Sequence, residues 1–202
     1  MAKVDHMGRE RDPLLPDHLG GQLGGNILPT ALEVLLEEFP EAKTLIDLGC
    51  GDGVAAKQYA EKFGLEVYGV DGDWTKLPKE DNFILHDFAE GPLEFDPSDT
   101  KFDITYSVEF LEHVEEEYQD NYMDLIARGT YAFVTAAPPG QVGWHHVNCR
   151  TREYWYGVFD KYGFDYAEDL TKKAMAKSTN FNKHGKQKQD FFKISGMIFK
   201  KR

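Results

Sequence analysis

The chain has 202 residues, 41% of them hydrophobic and 29% charged, which suits one sizeable core and argues against two independent ones. Two cysteines, Cys50 and Cys149, exclude a disulfide scaffold and a four-cysteine zinc site. No apolar run approaches the roughly 20 residues of a membrane helix, and no apolar leader opens the chain, so a cytoplasmic protein without a membrane partner is expected.

The net charge of −12 is unevenly spread. Residues 171–202 hold ten Lys/Arg and one Asp, a net +9, which leaves −21 on residues 1–170. An acidic body repels a polyanion and argues against nucleic acid as partner. The basic tail reads as a solvated, charged hairpin, with a phosphate grip as the alternative.

Residues 1–26 hold Pro13, Pro16 and the pairs Gly20-Gly21 and Gly24-Gly25, with no periodic apolar face. A flexible arm or lid over residues 1–26 is expected, carrying His18 and hinged at the paired glycines, ahead of a single domain over residues 27–202. Leu32, Leu35, Leu36 and Phe39 then recur at helical spacing, with Pro29 at the start and Pro40 as the stop. A buried strand follows over residues 44–48. A helix is expected over 52–63, with Ala56, Tyr59, Ala60 and Phe63 on one face. Further strands are read at 65–71, 82–87, 102–108 and 130–136. A helix over 115–128 faces Tyr118, Tyr122, Leu125 and Ile126 to the core. Thr151 caps another that carries Trp155, Val158, Phe159 and Tyr162. Residues 164–170 and 193–200 are the last strand candidates. Strands alternating with helices predict right-handed crossovers and a mainly parallel α/β sheet covered on both faces. Ligands of such sheets bind at the C-terminal ends of the strands.

The first of these strands runs into DLGCGDG at residues 47–53. Its glycines permit a tight turn and close approach of a ligand. A dinucleotide loop wants G-x-G-x-x-G, but Val54 stands where the third glycine belongs. Asp47 precedes the loop, and Asp52 is expected to cap the following helix. Carboxylates there repel a pyrophosphate and suit a ligand with an amino group and a sulfonium, so S-adenosylmethionine is preferred to NAD. Asp71 ends the second strand and can accept both ribose hydroxyls. Asp87 ends the third, followed by Phe88, an acceptor and an aromatic face suited to adenine.

With these motifs, and with FDI at 102–104 running into SVEFLEHV at 107–114, the sequence resembles the class I S-adenosylmethionine-dependent methyltransferases over residues 43–200. It is most similar to small bacterial and phage-encoded members. The resemblance implies a Rossmann-like three-layer sandwich whose seven-stranded sheet is mostly parallel, with the last strand antiparallel and inserted beside the fifth. It also implies that Asp47, Gly49, Cys50, Gly51 and Gly53 form the loop around the methionine end. Asp71 with Gly72 would hold the ribose, Asp87 and Phe88 the adenine, and Ser107 with Val108 the inner wall.

Glu109, Glu112 and His113 follow the fourth strand, and His145 and His146 follow the fifth. Neighbouring parallel strands open onto one rim, so these groups can converge beside the methyl donor. Methyl transfer needs orientation and exclusion of water, and a hydroxyl acceptor also needs a base, for which His113, His145 or His146 near Glu109 is suited. Adjacent residues point opposite ways, so one of His145 and His146 is expected to face the acceptor. Glu-x-x-Glu-His also resembles the divalent-metal pattern of ubiquinone-pathway and small-RNA O-methyltransferases. The free histidine base is preferred here, because the carboxylates of a metal site would need a cation always present. Trp144, Tyr154 and Tyr156 are candidates for an aromatic acceptor wall, Trp155 belongs to the core, and Cys149 is a bystander. The expected function is O-methylation, less so N-methylation, of a small-molecule or sugar-like acceptor. The alternatives are a non-catalytic S-adenosylmethionine-binding subunit and a metal-dependent RNA 2′-O-methyltransferase.

Overall fold

The computed structural model describes residues 3–4, 10–20, 25–95 and 100–202. Gly21 and Gly24, one member of each expected hinge pair, lie outside them. The elements run β1 (Lys3–Val4), β2 (Glu10–Arg11), α1 (Pro29–Glu38), β3 (Thr44–Leu48), α2 (Val54–Phe63), β4 (Glu66–Asp71), β5 (Phe83–Leu85), β6 (Phe102–Val108), α3 (Gln119–Ile126), β7 (Gly129–Thr135), α4 (Arg152–Lys161), β8 (Phe164–Tyr166), α5 (Glu168–Lys177), α6 (Phe191–Ser195) and β9 (Met197–Lys201). The main sheet has seven strands in the order β5-β4-β3-β6-β7-β9-β8. β3 pairs in parallel with β4 and β6, β4 with β5, and β6 with β7. β9 enters antiparallel between β7 and β8. This is the three-layer, Rossmann-like arrangement expected, with the last strand reversed beside β7.

Period-two alternation sends each central strand's apolar residues to two helical layers. Leu45, Ile104, Tyr106, Phe133 and Ile198 join a core with Leu32, Leu35, Tyr59, Leu170 and Phe192, from α1, α2, α5 and α6. Ile46, Leu48, Ala132, Val134 and Phe199 join a second core with Tyr122, Leu125, Trp155 and Phe159, from α3 and α4. Pro29 opens α1, and the Thr151 hydroxyl accepts from the Tyr154 amide at 3.4 Å to cap α4.

Several expectations are corrected. The arm is not wholly irregular, since β1 and β2 pair antiparallel. Asp52 is not the N-cap of α2: Gly53 takes that place in the left-handed region, at φ 67°, and Asp52, one residue earlier, accepts from the Val54 amide at 3.5 Å. Asp52 also pairs with Lys183 at 3.0 Å. The 82–87 strand shortens to β5, and the 115–128 helix opens as a 3-10 turn, Glu116–Tyr118, before α3. The strand expected over 164–170 breaks after Tyr166 and becomes α5, where Leu170 and Ala174 share a buried face and Glu168 and Asp169 favour the helix dipole. The 193–200 strand divides into α6, capped by Asp190, and β9. Gly196 sits at the break, where a Cβ would lie 2.4 Å from the Phe192 carbonyl. The basic tail is therefore no solvated hairpin. Its Phe192, Met197, Ile198 and Phe199 are core residues, and Phe181 bridges to Ile27 and Gln187.

Candidate active site

Strand order reverses between β3 and β6, and a cavity of about 350 Å³ opens at their C-terminal ends. The loop after β3 forms its floor. Gly49, Gly51 and Gly53 all have positive φ, at 75°, 56° and 67°. Alternate left-handed residues coil the loop tightly, and only glycine adopts that pattern cheaply. The Gly49 and Cys50 amides donate to the Val70 carbonyl at 2.9 and 3.1 Å, binding the loop to β4. A Cβ on Gly49 would lie 2.5 Å from the Phe110 ring. The loop after β6 thus lies directly on the glycine turn.

Two carboxylates stand beside this turn. Asp71 ends β4 and accepts from the Gly51 amide at 2.7 Å and the Asp73 amide at 2.8 Å. Burial raises its pKa against those two bonds. Asp47, 4% exposed, lines the cavity and accepts no hydrogen bond from any described residue. Burial, and then the Asp71 charge, hold its carboxyl well above the usual range. A buried carboxylate without a donor, facing a cavity, is completed by a cationic ligand. The donor set therefore fits the ammonium of an amino-acid tail. Cys50 is buried, and burial pushes its thiol up, so it offers no nucleophile.

Asp87 and Phe88 also line the cavity, with Gly72. Asp87 accepts from the Ala89 amide at 2.9 Å, and its other oxygen lies 2.6 Å from His18 Nε2. Phe88 packs edge-on against Phe110 and Tyr122. Val108 reaches the cavity, whereas Ser107 and Gly53 do not. Ser107 is fully buried and donates to the Leu48 carbonyl at 3.2 Å. Gly53 turns the chain into α2 beneath the Phe83 ring, 2.5 Å from where a Cβ would stand.

A second cluster faces the glycine loop across Phe110. Glu109 and His145 are the non-glycine residues with positive φ among those described, at 55° and 47°. Such conformations are costly and collect at functional sites. Glu109 is held by Thr135, which accepts from its amide at 2.9 Å and donates to its carboxylate at 2.8 Å, and by Gln141 at 3.2 Å. Burial raises its pKa, against the pull of Thr135, Gln141 and Lys188. Glu112 is 0% exposed, and neither carboxylate oxygen has a partner among the described residues. Burial, and then Glu109, push its carboxyl well up. Its backbone carbonyl accepts from the Val147 and Asn148 amides, both at 3.0 Å, which seats the loop after β7 on the loop after β6.

His113 and His146 meet edge to face at 4.8 Å between ring centres. Burial, and then His146, lower the His113 pKa to about 4, so it is neutral. His146 Nδ1 lies 3.0 Å from the Gln141 carbonyl. A carbonyl only accepts, so Nδ1 carries the hydrogen and Nε2 presents its lone pair, 4.0 Å from Glu112. One donor atom each from Glu112, His113 and His146 fit within 4.8 Å of one another. His145 turns the other way. Its Nε2 lies 2.9 Å from Glu115, and it does not line the cavity. The Cys149 thiol lies 3.7 Å from His146 Nδ1. Among the expected aromatic wall, Trp144 alone lines the cavity. Tyr154 bonds Glu116 and Gln119, and Tyr156 stacks on Tyr166, both on the flank of α4.

The arm crosses the mouth. Arg11 stacks over Trp144 at 4.7 Å, the Trp74 indole donates to Asp12 at 3.2 Å, and His18, Leu19 and Gly20 line the cavity. Tyr106, Gln141, Lys188 and Phe191 line it as well and carried no motif in the sequence. They come from a strand interior, from loops and from the first turn of α6, where periodicity carries no message about a ligand.

A family model described as a methyltransferase domain matches residues 24–183. Chloroplastic tocopherol O-methyltransferase of Arabidopsis thaliana is 28% identical over 132 residues, covering 58% of this chain and 34% of that protein. Phosphoethanolamine N-methyltransferase 2 of Caenorhabditis elegans is 25% identical over 87 residues, 39% of this chain and 20% of its own length. The matched segments thus span about a third and a fifth of these relatives. Among solved structures, a TehB-like methyltransferase of Corynebacterium glutamicum superposes with a TM-score of 0.55 at 15% identity, over 86% of this chain and 88% of its own. Magnesium protoporphyrin IX methyltransferase of Synechocystis, solved with bound S-adenosylmethionine, gives 0.52 at 16% identity, over 84% and 74%. Sheet order, glycine loop and a family match over most of its length agree: the chain belongs to the class I S-adenosylmethionine-dependent methyltransferase family.

Proposed function

We propose that this chain methylates a hydroxyl of a small-molecule or sugar-like acceptor, with His146 as the proton acceptor. The carrying observation is the His146 ring, whose Nδ1 is committed to the Gln141 carbonyl and whose Nε2 faces Glu112. Asp47 would meet the ammonium of S-adenosylmethionine, Asp71 with Gly72 the ribose, and Asp87 with Phe88 the adenine. When bound, the cofactor supplies a methyl group already activated by its sulfonium. His146 Nε2 would take the proton of the acceptor hydroxyl. The imidazolium so formed would face the Glu112 carboxyl at 4.0 Å. His113, neutral and half-buried, shapes the pocket and is too weak a base for the proton. The arm, pinned at Trp144 and Asp87, excludes water. The assay is transfer of labelled methyl to a pool of metabolites. His146→Ala should abolish transfer and leave S-adenosylhomocysteine binding intact. Cofactor binding without transfer to any pool would favour a non-catalytic subunit instead.

A second reading rests on Glu112, whose two oxygens are buried and unpartnered beside two imidazoles. This donor set fits a divalent cation, held by Glu112, His113 and His146 with Glu109 adjacent, which would lower the pKa of the acceptor hydroxyl. The Gln141 carbonyl would then orient His146 as a ligand. Loss of transfer on chelation, restored by magnesium or manganese, selects this reading. Activity that survives chelation selects the free base.

A further inference from the structure

The basic segment 178–190 delivers a lysine to the cavity. Asn180, fully buried, joins this segment to the entry of α1: its Oδ1 accepts from the Ile27 amide at 3.2 Å, and its Nδ2 donates to Asn26 at 2.9 Å and to the Gln189 carbonyl at 2.6 Å. The Lys188 amide donates to the Asn180 carbonyl at 3.0 Å. The Thr30 and Thr179 hydroxyls bond at 2.8 Å and fasten the other side. The Lys188 side chain then lines the cavity and donates to the Gly25 carbonyl at 3.1 Å. An ammonium has three hydrogens, so two remain for a ligand.

Lys188 lines the same cavity as Asp47. The Leu28 amide, just past Gly25 and Asn26, donates to the Tyr59 hydroxyl at 2.8 Å, which bonds Tyr106 at 2.9 Å. The Asp47 charge acts on both tyrosines. On the other side Lys188 feels Glu109, whose neighbour Phe110 covers Gly49. The other lysine lining the cavity, Lys76, is already paired with Asp73 at 2.9 Å. No carboxylate lies within ion-pairing distance of Lys188 among the described residues. Half-burial lowers its pKa, as expected for a cation short of a counter-charge.

An amino-acid tail carries an ammonium and a carboxylate. Asp47 answers the first, but the second would meet the carboxylates of Asp47 and Glu109 in the same cavity. Resting on the cofactor placement proposed above, we infer that Lys188 is the anchor for the cofactor's α-carboxylate. Lys188 is thereby a binding residue supplied by the C-terminal basic segment, outside the glycine loop and the strand ends.

Calorimetry with two ligands tests this. S-adenosylhomocysteine has the amino-acid tail, and 5′-methylthioadenosine lacks it. Lys188→Met should weaken S-adenosylhomocysteine tenfold or more, since a charge-assisted hydrogen bond is lost, and leave 5′-methylthioadenosine unchanged. Lys188→Arg should recover much of the affinity. Equal weakening of both ligands would overturn the inference and make Lys188 structural. Unchanged S-adenosylhomocysteine affinity in Lys188→Met would also overturn it, leaving the cofactor placement standing. A wild-type chain that fails to bind S-adenosylhomocysteine would overturn the placement and the inference together.

Discussion

Replacing Asp47 by asparagine removes a buried titratable carboxyl while keeping the shape of the side chain. Asp47 is 4% exposed and has no donor among the described residues, and its carboxyl is held well above the usual range by burial and by Asp71. A buried polar group without a partner costs about 1–3 kcal/mol. The amide avoids the charged part of that cost, so the ligand-free variant should be more stable at neutral pH by roughly 1–2 kcal/mol. For a chain of this size that is a rise in Tm of about 2–8 °C. The sign of the pH dependence follows from the raised pKa. The folded wild type holds a proton that the unfolded chain has lost, so it loses stability as pH rises from the ordinary carboxylate value through the folded one. The amide of the Asp47→Asn variant does not titrate, so the gap between variant and wild type should widen as pH rises above the ordinary carboxylate range. Binding should move the other way, with S-adenosylhomocysteine weakened about 10- to 100-fold by loss of a charge-assisted contact. Thermal melts across pH and calorimetry measure both. A variant that melts lower than wild type at every pH, with the same pH slope, would refute the account of an unpartnered carboxylate. Unchanged affinity would refute its role in holding the cofactor.

Gly49→Ala puts a Cβ 2.5 Å from the Phe110 ring at φ 75°, so it should cost roughly 2–5 kcal/mol from backbone strain and overpacking. Partial recovery in a Gly49→Ala, Phe110→Ala double variant, read by denaturant melts, checks that steric origin. Glu112→Gln removes one of the three clustered donors and should abolish turnover; if a cation is held there, manganese should raise the wild-type Tm and not the variant's. Deletion of residues 1–22 removes His18 from Asp87 and Arg11 from Trp144, and should leave cooperative melting intact while lowering turnover. Equal protease sensitivity of the arm with and without S-adenosylhomocysteine would count against a closing arm.

Features that depend on short-range pattern were legible in the chain before it was folded. Short, nearly continuous apolar runs marked the buried strands, because a strand covered on both faces buries successive neighbours in opposite layers. The spacing of Gly49, Gly51 and Gly53 marked the turn at the strand end, because alternate left-handed positions disfavour any residue with a Cβ. Asp47, Asp71 and Asp87 were legible because each stands at or beside the end of a strand, where parallel order brings the groups to one rim. Features that depend on long-range contact emerged only with the packed molecule. α5 was hidden because residues 164–170 begin as a strand, and the change to a helix is set by burial of Leu170 and Ala174 against α1 and the sheet. His146 faces the cavity and His145 turns to Glu115, a choice made by the Gln141 carbonyl and a left-handed φ at His145 rather than by composition. Lys188 looked like one solvated lysine among many. Asn180, buried against Ile27 at a separation of 153 residues, brings it to the cavity. No local pattern encodes a contact of that range, because its free energy comes from groups that meet only after the sheet has formed.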